Sequence, residues 1–160
     1  MPDLNKHTGN NFGGNQKVLW AFAKDLINII TVGPAALSIS ISPSTIDDYF
    51  NEIKFVKETT PHDEKKNPSA NGSYYMNKIE VVLLKDRSDT RSLIHSIGDR
   101  KVVLLIYDNN GMVKLAGAPE EGLNLKDEFR SGSKAKDRNG YLIQFSGDTS
   151  VKSKEVQITA

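Results

Sequence analysis

The side chains in this chain with the means to do chemistry are few and scattered. His7, His62 and His95 could each supply a general base or a metal ligand. They fall in an Asn/Gly-rich leader, a charged polar segment and a helical pattern, and no spacing brings them together, so they read as surface histidines. Asp47-Asp48 and Glu120-Glu121 are carboxylate pairs, but paired-carboxylate catalysis needs two groups facing one cleft across a defined gap. Neighbours on loops read instead as capping and solubilising groups. Gly9 and Gly14 have the spacing of a phosphate loop, yet Asn15-Gln16 stands where Lys-Ser/Thr should follow and no strand leads in. Arg130, Lys134, Lys136 and Arg138 form a basic loop. A nucleic-acid reader would interleave aromatics with such a patch, whereas Phe129 and Tyr141 only flank it. It reads as a solvated loop that can meet acidic groups on a partner. Asn71-Gly72-Ser73 is formally a glycosylation sequon, which carries no weight without an export signal. The pattern implies no catalytic residue, no metal site and no cofactor. Function must then be sought in architecture and surfaces.

Composition points the same way. With 160 residues the chain fits one domain, and a domain this size buries about 68–70% of its unfolded surface without a staple. The absence of cysteine excludes disulfides, thiol catalysis and cysteine-ligated zinc. Twenty-one basic against 20 acidic residues leave a net charge of +1, which gives no reason to propose nucleic acid or an anionic membrane as partner. Residues 1–16 are polar and hold no apolar signal core, and the apolar zone 18–41 is cut by Lys24-Asp25 and Gly33-Pro34. The expectation is a cytoplasmic, unexported protein: a flexible N-terminal arm at 1–16, then a single β-rich domain over 17–160.

The elements that must position any site are mostly strands. Residues 17–23 alternate, with Val18, Trp20 and Phe22 on one face. Residues 25–32 fit a strand or a short helix, and their β-branching favours strand. Leu37, Ile39 and Ile41 alternate with serines, a strand with one wet face. Residues 43–50 form a turn with room for one helical turn capped by Ser44 or Thr45. Residues 52–56 read as a strand burying Ile53 and Phe55. Residues 74–84 read as a long one, with Lys78 and Glu80 outward and Ile79, Val81 and Leu83 inward. A helix spans 89–97, capped by Ser88 or Asp89, striped by Leu93, Ile94 and Ile97, and ended by Gly98. A short strand at 123–125 lies in a polar connection over 120–136, and 151–158 is a last strand or a tail.

Segment 57–72 stands apart. It has two prolines, mixed charge and almost no apolar residue, and a loop of this length is usually functional or disordered. We expect a mobile arm that contacts an adjacent subunit, with Lys57, Pro61, His62, Lys65, Lys66 and Tyr74 as its contact residues.

The last third carries the densest signal. Val102 to Tyr107 is a solid apolar run, followed by Asp108-Asn109-Asn110-Gly111 and then Met112-Val113-Lys114-Leu115. Asn139-Gly140 opens Tyr141-Leu142-Ile143-Gln144-Phe145-Ser146-Gly147. Asn-Gly supplies the positive φ of tight hairpins, so Asn110, Gly111, Asn139 and Gly140 are the expected turn positions.

The stretch 137–147 with the preceding Ser131-Gly132, the strand–turn–strand 102–117, and Gly72-Ser73-Tyr74-Tyr75 leading into a long strand resemble tail-tube-like structural proteins of bacteriophages and prophages. The likeness covers residues 50–147. It implies a mainly β chain (α+β by strict count), an antiparallel β-sandwich or split barrel with one short flanking helix. It also implies a virion protein whose copies form rings, typically hexamers, that stack into a tube. Partners would be copies of itself, other tail proteins, and DNA passing through the lumen without sequence-specific binding; no membrane is implied. A monomeric cytoplasmic β-barrel that binds a ligand is the alternative, and an enzyme a third class.

Overall fold

The computed structural model describes residues 14–33, 37–55, 61–84, 87–134 and 139–159. The chain is mainly β: two sheets packed as a sandwich with short helices at the flanks, and neither sheet closes into a barrel. The strands are β1 (Asn15–Phe22), β2 (Ser38–Ile41), β3 (Asn51–Ile53), β4 (His62–Ser69), β5 (Gly72–Leu84), β6 (Val102–Asp108), β7 (Val113–Ala116), β8 (Asn124–Arg130), β9 (Gly140–Thr149) and β10 (Lys154–Ile158). The helices are α1 (Pro43–Tyr49) and α2 (Ser88–Ile97). The larger sheet has the order β2-β10-β7-β6-β1-β3 and the smaller β4-β5-β9-β8. Pairing is antiparallel except between β10 and β2.

Alternation explains the layers. Val18 and Trp20 of β1 and Leu104 and Ile106 of β6 face the smaller sheet, where Ile79, Val81 and Leu83 of β5 and Ile143 and Phe145 of β9 meet them. Ile97 closes this core from α2, with Leu93 and Ile94 packed against it. Leu19, Val103, Leu105 and Leu115 point the other way into a second core covered by Leu26, Ile30 and Phe50. Strand β6 is therefore buried on both faces, which is why it reads as an unbroken apolar run. Gly122 lies where a Cβ would stand 2.7 Å from Lys101 Cβ and 3.2 Å from the Val102 carbonyl, so chain and sheet touch there without a side chain between them.

Several expectations are corrected. Segment 57–72 is not a loop over most of its length. Residues 62–69 form β4, paired from His62↔Ile79 to Ser69↔Gly72. Backbone pairing along the rigid β5 template overrides the poor strand propensity of these residues. Strand β1 starts at Asn15, inside the expected arm, and residues 1–13 lie outside the described residues. Residues 23–26 form a 3-10 helix and 27–29 a turn, with the Ile29 and Ile30 amides donating to the Leu26 carbonyl, so local bonding wins over β-branching. Helix α1 is a second helix, capped by Ser42 rather than Ser44 or Thr45: the Ser42 hydroxyl accepts from the Thr45 amide at 3.3 Å. At α2 neither Ser88 nor Asp89 is the cap; Arg87 stands there without a side-chain bond. Gly140 is not a turn residue but a strand residue paired with Leu84 and Arg130. Strand β3 stops at Ile53, with Phe55 packed beyond it, and β8 is longer than the short strand expected at 123–125.

The turn at 109–111 behaves as a three-residue hairpin loop. Gly111 takes φ +86°, and the Asp108 carboxylate accepts from the Asn110 and Met112 amides at 2.9 and 2.8 Å.

Candidate functional site

The feature that sets this sandwich apart from a closed domain is the β4–β5 hairpin. Strand β9 pairs with β5 only as far as Thr149↔Tyr75. The pairs Asn67↔Tyr74, Pro68↔Ser73 and Ser69↔Gly72 continue beyond it. The hairpin tip thus projects past its sheet, closed by Ser69 Oγ donating to the Gly72 carbonyl at 2.5 Å.

The base of the hairpin is anchored by a polar network. Period-two geometry turns His62, Glu64 and Asn77 to the inner face of the smaller sheet. The Asn77 amide nitrogen donates to Thr149 Oγ1 at 3.2 Å, which leaves its Oδ1 to accept from His62 Nε2 at 3.2 Å. Nε2 is therefore the protonated ring nitrogen. Thr149 Oγ1 in turn donates to the Val151 carbonyl at 2.7 Å. Glu64 Oε2 accepts from the Ser153 amide at 2.8 Å and hydroxyl at 2.6 Å. Burial pushes His62 below its ordinary pKa; the Asn77 bond and the Glu64 and Asp63 charges oppose that shift, and Lys114 adds to it. The network holds a base in His62 and two hydroxyls, and both hydroxyls donate elsewhere, Thr149 to the Val151 carbonyl and Ser153 to the Glu64 carboxylate. Its chemistry is that of a clasp: it ties β4, at the edge of one sheet, to the segment that leads into β10 of the other.

The outer face of the smaller sheet is mixed in character. Lys78 and Glu80 pair there at 2.9 Å, and that bond holds the Lys78 ammonium above its usual pKa. Leu142 and Met76 are exposed on the same face.

The residues expected to act together are only partly brought together. Pro61, Lys65 and Lys66 are exposed along β4 or just before it, and Tyr74 sits half-buried in the tip opposite Asn67. His62 points inward instead of toward a neighbour. Lys57 lies outside the described residues, as do His7, Lys136 and Arg138. Exposed His95 is on α2, far in sequence and topology from His62. Asp47 and Asp48 are exposed on α1. Glu120 is exposed, while Glu121 accepts from the Ser150 amide at 2.7 Å and hydroxyl at 3.0 Å, a structural tie. Arg130 is bound to Glu128 at 2.7 Å. Among the described residues no group of three or more His, Asp or Glu side chains is placed to hold a metal, and no helix is long and apolar enough to cross a membrane.

Sequence reasoning missed Glu64, Asn77, Thr149 and Ser153. One signal was available: Asn77 falls in the same alternation as Ile79, Val81 and Leu83, which puts a polar side chain on a buried face. No protein-family model, no curated protein and no solved structure matches the chain.

Proposed function

We propose that the protein is a non-enzymatic structural subunit that assembles with copies of itself into rings or a tube, as in a phage tail or related injection apparatus. The observation that carries this reading is the projecting β4–β5 hairpin on a sheet whose two edges are both open among the described residues. The strands of the smaller sheet alternate in direction, so its edge strands β4 and β8 run opposite ways. Copies set side by side in one orientation would continue the sheet as an antiparallel one, with no strand reversed. Both edges carry charges of both signs, Asp63, Lys65 and Lys66 on one and Lys126, Asp127, Glu128 and Arg130 on the other. The resemblance to tail-tube-like proteins supplies the particle, its other tail proteins as partners, and a lumen for DNA.

The test is electron microscopy of concentrated protein beside a trimmed variant. In the variant Pro68–Ser73 is replaced by Asn-Gly, which joins Asn67 to Tyr74, a hydrogen-bonded pair, by a two-residue turn. The parent should form rings or tubes. The trimmed chain should keep its melting temperature and lose them. A parent that stays dispersed at every concentration, or a trimmed chain that assembles normally, overturns the proposal.

A further inference from the structure

The open edge of the larger sheet presents a different surface. Among the described residues, strand β2 pairs with β10 on one side only. Its neighbours in the alternation are apolar: Ile39 and Ile41 face the second core, and Leu37, one step before the strand on that same face, is 90% exposed. Ile158, paired with Ile41, is also exposed there. Sheet edges are ordinarily guarded by charge, proline or brevity. Strand β4 has Asp63, Lys65, Lys66 and Pro68, β8 has four charged residues, and β3 is three residues long with Glu52 in it. Residues 37–42 hold no charge and no proline.

We propose that β2 is a self-pairing edge, at which a second copy of this chain docks its own β2 antiparallel about a two-fold axis midway between the two copies of Ile39 and normal to the sheet. Such an axis keeps both second cores on one side of the joined sheet. It sets Ile39 opposite Ile39, and the exposed Leu37 of each copy opposite Ile41 of the other. Ser38 falls opposite Ser40 on the far face. In an antiparallel pair directly opposed side chains share a face, so each apolar residue meets an apolar residue and no like charges meet. A second copy is favoured over a foreign strand because this one register makes the edge complementary to itself. The inference goes beyond the ring proposal, since it uses the other sheet and an isologous contact.

The contact is small, well under the roughly 1,000 Å² of a stable interface, so it calls for concentrations up to about 1 mM. Sedimentation is best done on the hairpin-trimmed chain, where ring contacts are removed. Its mass should rise from one chain to two, and Ser38→Lys with Ser40→Lys should hold it at one chain without changing the melting temperature. The chain has no cysteine, so Ser40→Cys gives a single site for a spin label. The two-fold register puts the labelled α-carbons about 8 Å apart, which broadens the spectrum strongly on association. A trimmed chain that stays at one-chain mass up to that concentration overturns the inference. A dimer that forms without broadening overturns it too. Because both readouts use the trimmed chain, a parent that forms no rings leaves them intact, and in a trimmed chain that still assembles the Ser40 label reads the β2 contact by itself.

Discussion

Glu64 and Ser153 are joined twice across the gap between the sheets, with one carboxylate oxygen accepting from both the amide and the hydroxyl of the serine. The serine lies in the short crossover from β9 to β10, so this pair fixes where the chain leaves one sheet for the other. Truncating Glu64 to Ala strands the half-buried Ser153 amide and leaves the hydroxyl only Asn77 Oδ1, at 3.3 Å. Hydrogen bonds to a charged group are each worth about 1.5–3 kcal/mol. We expect a loss on the order of 2 kcal/mol in denaturant unfolding, with faster amide exchange concentrated in β10. Glu64→Gln, which keeps an acceptor, should lose less.

His62 sets a pH dependence. Burial is the largest cause of its lowered pKa. Protonation therefore favours the unfolded chain. The stabilisation from the neutral ring is complete above the unfolded value of 6.5 and is lost as pH falls through the lowered folded value. His62→Gln keeps a donor for Asn77 Oδ1 without a titrating group. Stability of the parent should decline between pH 6.5 and the onset of carboxylate titration near about pH 4.5. The variant should stay flat over that window, and an equal decline in both would assign the effect elsewhere.

Gly111 occupies a positive-φ position with open space around it. A Gly111→Val chain meets no clash, only backbone strain, so the expected cost is about 1–2 kcal/mol. Equal stability of parent and variant in urea would show that the turn tolerates a β-branched residue. Asp108→Ala removes the acceptor of two amides in the same turn and should cost about 1 kcal/mol.

Phe145 is wholly buried between the sheets, while Leu142 on the same strand is exposed on the outer face. Phe145→Ala should cost about 3–5 kcal/mol through the cavity it leaves. Leu142→Ser should change stability by no more than about 0.5 kcal/mol. Thermal melts of the two variants, three residues apart, separate the buried face of β9 from its free one.

The alternating strands were legible because one face of each is buried. Ile79, Val81 and Leu83 point inward and Lys78 and Glu80 outward, as their spacing says. The helix ending at Gly98 was legible for the same reason, from its stripe and its stop. Strand β4 was not legible: its pattern is polar on both faces, and what makes it a strand is the partner laid along it. The clasp was hidden likewise, because Glu64 and Ser153 are 89 residues apart and only the fold brings them together. The tight turn expected at Asn139-Gly140 fails because a dipeptide signal does not reveal how much chain the connection holds: β8 ends at Arg130, and Gly140 is already in β9.

The place of β10 has a consequence for synthesis. It lies inside the larger sheet, between β2 and β7, and its pair Val156↔Ile39 joins residues more than a hundred positions apart. A chain emerging from the ribosome makes β2 early and must leave it unpaired until almost everything else has been translated. Closing so long a loop makes this step slow beside the local hairpins β4–β5, β6–β7 and β8–β9. The hairpins can therefore form while the nascent chain is still tethered, and β2 joins the larger sheet only when β10 arrives. Shortened products that stop before residue 154 would carry an orphan β2 and an uncovered second core, a form that quality control can recognise.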